Sequence, residues 1–213
     1  IRGSGVDVTE FAFSPLPEGP PIVLLASRLT WHKGVAEFVE AARRIKAEGI
    51  TARFVLCGSP DTENPGGVPQ TLLDQWQAEG IVECWGYRAD MPEVFRQATI
   101  VVSPSKYGEG VPKSLIEAAA AGRPIVTSDA PGCREIVRDG ENGYLAPISD
   151  AAAVADGISR LLKAPRAAAQ MGRRGREIVE AEFALPHVLN KTLALYRQVM
   201  PVGEMAPSSR AET

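Results

Sequence analysis

Four charged side chains in this chain stand where they could do chemistry. Glu109 and Glu117 lie eight positions apart in Tyr107-Gly-Glu-Gly-Val-Pro-Lys-Ser-Leu-Ile-Glu117, just after the apolar run Ile100-Val-Val102. Pro112 suits the first turn of a helix, where its fixed φ is helical and its missing N–H is not needed. Gly122 suits the far end, where a left-handed residue commonly closes a helix. This spacing puts Glu109 in the loop at a helix mouth and Glu117 one to two turns inside. A helix mouth offers unpaired N–H groups and a positive dipole end, which suits a phosphate. Carboxylates beside it can accept hydrogen bonds from hydroxyl groups. Arg28 and Lys33 flank a second strand–helix turn, Ser27-Arg-Leu-Thr-Trp-His-Lys-Gly34, where cations can converge on a diphosphate. Such a set fits a ligand that is anionic in the middle and hydroxylated at both sides.

The elements that must position these groups alternate. Ile22-Val-Leu-Leu-Ala26 is a short, wholly apolar run of the kind found in a parallel strand covered on both faces. Val35, Phe38, Val39, Ala42 and Ile45 then form one helical stripe, with Glu40 and Arg44 as an i,i+4 pair opposite and Gly49 as a stop. Strands are expected at Phe54–Cys57, Ile81–Trp85, Ile100–Val102, Pro124–Thr127 and Gly143–Leu145. Helices are expected at Gln70–Ala78, at Met91–Gln97 and across Glu109–Glu117. The alternation predicts an α/β fold: a Rossmann-like, doubly wound parallel sheet of about six strands with helices on both faces. Ligands bind such sheets outside the carboxyl ends of the strands, and Arg28, Gly58, Trp85 and Glu109 all follow strand ends.

From Asp150 onward the pattern is helical. Val154, Ile158, Leu161 and Leu162 make one stripe, Met171, Ile178 and Val179 a second, and Val188, Leu189, Leu193 and Tyr196 a third. Residues 1–19 read as a linker or the remnant of an interdomain segment. Residues 20–200 read as one domain, and 201–213 as a disordered tail with little to pack. The net charge is 23 − 26 = −3, so the whole chain carries no electrostatic footprint for nucleic acid. No apolar run approaches the ~20 residues of a bilayer span, and no signal peptide is visible, although the chain starts at Ile1. Cys57, Cys84 and Cys133 form neither a zinc pattern nor a disulfide framework, and the usage fits a reducing cytoplasm. Cys57 and Cys84 end apolar runs and read as buried small hydrophobes; Cys133 falls in a Gly-rich loop.

With Arg28 and Lys33 upstream, the Glu109-x7-Glu117 run resembles the retaining GT-B glycosyltransferases of family GT4 (glycosyl transferases group 1). The resemblance runs from about Gly5 to Tyr196. It also rests on Gly-Ser-Gly-Val-Asp7, Gly58-Ser59, Trp85-Gly-Tyr-Arg-Ala-Asp-Met91 and Pro131-Gly-Cys-Arg-Glu-Ile-Val-Arg-Asp-Gly-Glu-Asn-Gly143, in this order. It implies the C-terminal half of a GT-B fold, which binds a nucleotide-sugar donor, here expected to be a UDP-sugar. Arg28 and Lys33 would hold the diphosphate and stabilise the leaving group. Glu109 would bind the transferred sugar beside the N–H groups of Gly110 and Val111, and Glu117 the ribose. Gly58, Tyr87, Arg88, Ser114 and Leu115 would complete the donor contacts, with Tyr87 and Arg88 near the base. Retention points to same-face attack without a protein nucleophile. The acceptor would sit on an N-terminal domain that these residues do not supply, so this half is expected to transfer sugar very poorly alone.

Each residue also has a plainer reading. Arg28 and Lys33 could be ordinary surface charges, Glu117 a solvent-facing helix glutamate, and Glu109 compensation for the helix dipole. Trp85 could belong to the core, and His32 fits a helix start or the surface. The common family form Glu-Gly-Phe-Gly is Glu109-Gly-Val-Pro112 here, and Pro112 removes one N–H donor. The Pro-Lys form resembles a subgroup of bacterial enzymes of lipid-linked and surface-polysaccharide assembly. That implies a cytoplasmic location and leaves open peripheral association of a full-length enzyme with the inner membrane face. No cofactor or metal is expected, and Asp61-Thr-Glu63 reads as loop. A UDP-sugar 2-epimerase and a non-catalytic nucleotide-binding module stay open as alternatives. A nicotinamide enzyme is disfavoured because no Gly-x-Gly-x-x-Gly follows the first strand.

Overall fold

The computed structural model describes residues 3–61, 63–107 and 110–199. Six strands form one parallel sheet: β1 Ile22–Ala26, β2 Arg53–Cys57, β3 Glu83–Gly86, β4 Ile100–Ser103, β5 Ile125–Ser128 and β6 Gly143–Ala146. Their order in the sheet is β3-β2-β1-β4-β5-β6, and every neighbouring pair is parallel. This is the doubly wound order of a Rossmann-like fold, which reverses direction between β1 and β4. At such a reversal the segments leaving the two strands diverge to opposite faces and open a crevice.

The wholly apolar strands are buried because helices cover both faces. On one face lie α1 Val35–Ala47, α2 Gln70–Ala78 and α6 Ala151–Lys163. Their Phe38, Trp76 and Ile158 pack with Val23 and Leu25 of β1. On the other face lie α3 Met91–Gln97, α4 Lys113–Ala120 and α7 Pro165–Glu182. Their Phe95, Ile116 and Val179 pack with Ile22 and Leu24. Alternate residues of one strand thus feed the two cores, as the period-two geometry of a strand requires. The predicted α1 stripe is buried throughout, Glu40 pairs with Arg44 at 3.0 Å, and Gly49 takes a positive φ of 75°.

Several expectations differ from the structure. The Gly-rich loop around Cys133 contains a one-turn helix, α5 Pro131–Arg134, and Cys133 is buried beside Thr127. Cys57 is buried as expected, but Cys84 is only half-buried, because β3 is the edge strand. Residues 1–19 do not hang free as a linker where they are described. Val6 and Phe11 join the second core, and the fully buried Arg123 donates to the carbonyls of Ser14, Pro15, Ala98 and Ala121. Arg176 adds bonds to the carbonyls of Val8 and Phe11, at 3.1 and 2.9 Å. The last helix, α8 Leu185–Val199, buries Val188 alone of its predicted stripe and leaves Leu189, Leu193 and Tyr196 exposed. An amphipathic pattern records a face to be covered, not what covers it. The predicted tail, 201–213, lies outside the described residues.

Candidate functional site

Beyond the carboxyl ends of β1, β2 and β3, the backbone stays tied together. Ser27 N–H donates to Cys57 O at 3.0 Å, Leu29 N–H to Ser59 O at 3.0 Å, and Gly58 N–H to Gly86 O at 2.8 Å. Gly58 sits at φ 149°, and a Cβ there would lie 1.8 Å from Ser27 O, so only glycine lets the two strand exits approach this closely. These exits and the first turn and a half of α4 enclose an open cleft of about 350 Å3. Of the residues singled out in the sequence, Arg28, Gly58, Tyr87, Arg88, Ser114 and Glu117 line it.

Glu117 is the chemically unusual member. Its side chain is only 11% exposed, yet it borders the cleft. Lys113, one turn earlier, approaches Oε1 at 3.4 Å. Burial holds the carboxyl above its ordinary value of 4.5; Lys113 works against that rise and Glu10 adds to it. A buried, acceptor-only group without a full complement of donors is suited to a hydroxylated ligand. The solvent-facing reading of Glu117 does not hold.

Arg28 lies at the mouth, its side chain 67% exposed, with Nη1 3.1 Å from Asp61 Oδ2. An exposed pair of this kind contributes little, so a ligand phosphate can take the guanidinium over at small cost. Asp61 also accepts from Asn64 Nδ2 at 3.3 Å. Among the described residues, no three His, Cys, Asp or Glu side chains gather as metal ligands. Arg88 is bonded to Asp90 (Nε to Oδ1, 2.7 Å) and lies 5.9 Å from the Trp85 ring centroid, with Trp85 half in the core. Tyr87 projects into solvent at the rim.

Other predicted site residues are placed differently. Lys33 ends a half-buried 3-10 turn, Trp31–Lys33, outside the cleft lining. Glu109 lies outside the described residues. Gly110 is exposed and Val111 rests against the second core, and neither lines the cleft. Leu115 is also outside the cleft lining: its side chain is fully buried in that core and its N–H is bonded to Pro112 O at 3.1 Å. Helical geometry explains this, since Leu115 lies two positions from Glu117 and so faces another way.

Sequence reasoning did not single out Ala26, Ser27, Ser59, Ala89 and Met91, which also line the cleft. The strand-end rule that found Arg28 and Gly58 would have found Ser27 and Ser59. Cys57 lines it too, and burial pushes its thiol above the ordinary value, which makes it an inert wall. A larger groove of about 540 Å3 lies between the C-terminal end of α1 and α6, towards the amino ends of the strands. Its charges are exposed and paired, Lys163 with Glu48 at 3.6 Å and Arg44 with Glu40 at 3.0 Å, whereas the carboxyl-end cleft brings a buried carboxylate and an exchangeable cation together.

The family model described as "Glycosyl transferases group 1" matches residues 7–178. The N,N'-diacetylbacillosaminyl-diphospho-undecaprenol alpha-1,3-N-acetylgalactosaminyltransferase of Campylobacter jejuni is 41% identical over 143 residues, covering 67% of this chain and 36% of the relative. The putative colanic acid biosynthesis glycosyltransferase WcaL of Escherichia coli is 32% identical over 210 residues, covering 94% of this chain and 51% of the relative. The chain therefore spans about half, or less, of the length of these relatives. Among solved structures, Anabaena HepE in complex with UDP superposes with a TM-score of 0.80 at 22% identity, over 92% of this chain and 56% of that one. At that identity the likeness establishes the fold.

Proposed function

The chain belongs to the glycosyl transferases group 1 family, and from that premise we propose that it is the donor-binding half of a retaining glycosyltransferase that takes its sugar from UDP. The observation that carries the reading is the buried Glu117 carboxylate facing a cleft at the carboxyl edge of a doubly wound sheet, with Arg28 at its mouth. In this reading Glu117 accepts the ribose hydroxyls. Arg28 and Lys33 take the diphosphate and stabilise the charge that develops on it as the glycosidic bond breaks. Tyr87 and Arg88 flank the base. Glu109 and the N–H groups of Gly110 and Val111 hold the sugar, and Ser114 stands at the helix mouth. No metal enters this scheme.

Retention follows from same-face attack, with the acceptor proton passing to the leaving phosphate, so no side chain here is a nucleophile. UDP is favoured because HepE, which shares the fold, was crystallised with it. An acceptor in lipid-linked or surface-polysaccharide synthesis is favoured by the names of the Campylobacter and Escherichia relatives. We assign the acceptor site to an N-terminal half, so this chain alone binds donor but transfers hexose very poorly. The proposed location is the cytoplasm, with peripheral contact to the inner membrane face for the longer enzyme. Among the described residues no helix is long and apolar enough to cross a membrane.

Calorimetric titration with UDP, GDP and ADP, in parallel with Glu117→Ala, tests the assignment. UDP should bind best and the variant should lose that binding. Wild-type chain that binds none of the three, or a variant that binds UDP unchanged, would remove the basis for the donor site. Appreciable sugar transfer by the 213-residue chain would contradict the two-half reading.

A further inference from the structure

The crevice of the sheet opens between β1 and β4, whose outgoing segments lead to helices on opposite faces: α1 on one, α4 on the other. The ladder ends with the strands, so the width of the crevice depends on contacts made beyond it. Three are present. Gly34, at φ 78°, lies so close to the β4 exit that a Cβ there would stand 2.0 Å from Pro104 O. Lys106 N–H donates to His32 O at 2.8 Å. Lys106 Nζ lies 2.9 Å from Oε1 of Glu37 in the first turn of α1.

The third contact is unlike the surface ion pairs elsewhere. The Glu37 side chain is 9% exposed, and its Oε2 is buried without a hydrogen-bond partner. A carboxylate in that position is strongly disfavoured unless a cation stays beside it. Lys106 is the cation that answers it, and it comes from across the crevice rather than from α1 itself. A helical amphipathic pattern alone would put an apolar side chain at a buried position, so this carboxylate weakens the core in order to hold Lys106.

We propose that Glu37 and Lys106 are a positioning pair that latches the Trp31–Gly34 turn to the Pro104–Tyr107 segment and so sets the spacing between the diphosphate-binding and sugar-binding sides of the donor site. The pair touches no ligand. It acts through the two segments it ties, and it rests on the donor-site reading above only for its effect on ligands. Loosening it should leave intact the nucleotide contacts of the β1–β2 side and of Glu117 on the separately packed α4, and blur only the sugar contacts that depend on the segment leaving β4.

The test compares wild type, Lys106→Met, Glu37→Gln and the double variant by three measurements. Amide hydrogen exchange at residues 105–107 should speed up by about tenfold in each variant, and no further in the double variant, because the pair acts as one unit. UDP affinity should stay within about twofold, while the gain of UDP-glucose over UDP, used as probe, shrinks by about tenfold. Thermal stability should fall most in Lys106→Met, which strands a buried carboxylate, and recover in the double variant. Recovery of stability without recovery of exchange or of the UDP-glucose gain separates positioning from mere support. Unchanged exchange in all variants overturns the latch. Loss of UDP affinity in Lys106→Met but not in Glu37→Gln also overturns it, since Lys106 would then be a ligand contact. Wild type that binds no UDP would instead remove the donor-site reading, and the exchange measurement would still decide on the latch.

Discussion

Replacing Glu117 by glutamine should pull binding and stability in opposite directions. Lys113 approaches Oε1 at 3.4 Å, which leaves Oε2 as the better acceptor for a ribose hydroxyl. A hydrogen bond to a charged group contributes about 1.5–3 kcal/mol and a neutral one about 0.5–1.5, so one or two bonds exchanged cost about 1–3 kcal/mol. UDP should therefore bind roughly 5- to 150-fold more weakly. Stability moves the other way. Burial raises the Glu117 pKa above 4.5, so the folded chain holds that proton more tightly than the unfolded chain does. Stability then falls as pH rises from 4.5 through the raised value, and at neutral pH the ionised carboxylate is a net penalty. Glutamine removes the penalty, so Glu117→Gln should be the more stable protein at neutral pH, with the advantage closing as the pH drops below 4.5. Calorimetry with UDP and urea unfolding across this pH range measure both effects. A variant that binds UDP as wild type does, or that is less stable at neutral pH, would refute the idea that this carboxylate is buried for a ligand.

Further tests bear on the elements around the site. Arg123→Met should lower unfolding free energy by about 3 kcal/mol or more. The carbonyls of Ser14, Pro15, Ala98 and Ala121 each lose a charged donor at about 1.5–3 kcal/mol, while ending the burial of a guanidinium pushed down from 12.5 to about 10 returns about 3 kcal/mol. Urea unfolding measures it, and a loss under about 1 kcal/mol would contradict the role given to those bonds. Gly58→Ala meets Ser27 O at 1.8 Å and should lower melting temperature and UDP affinity together; a variant unchanged in both would show that the strand exits can part without consequence. Lys33→Met, in an enzyme completed by its acceptor half, should cost about 100-fold or more in kcat but under about tenfold in UDP affinity. Equal losses in steady-state rate and calorimetric affinity would make Lys33 a simple binding residue.

How much was legible beforehand follows from the range of each interaction. Strand and helix periods are local, so the buried stripe of α1, the bounds of α3 and the order of elements could be read from neighbouring residues. The strand-end rule is nearly local as well. It found Arg28 and Gly58, the helix signals around Pro112 and Gly122 found Glu117, and the family resemblance supplied Tyr87, Arg88 and Ser114, all of which line the cleft. The burial of the Leu115 side chain, two positions from Glu117, was not legible, because it depends on which face of α4 the second core covers. The α8 stripe was visible as a pattern, but exposure depends on what packs against it. The same limit hid the N-terminal segment, whose linker-like composition gives no sign that Arg123 and Arg176 hold its carbonyls from more than a hundred residues away in sequence.

The sequence by itself determined the class of fold and the edge of the sheet at which the cleft opens, and it drew attention to Arg28 and Glu117 there, because each depends on periodicity and turn chemistry within a few residues. Only the tertiary structure decided that β1 lies beside β4, that Arg28 meets Asp61 and that Lys106 reaches Glu37 across the crevice. Those pairings join residues 33 to 77 positions apart, and a charge finds its partner over such a span only when the packing of everything between them brings the two together.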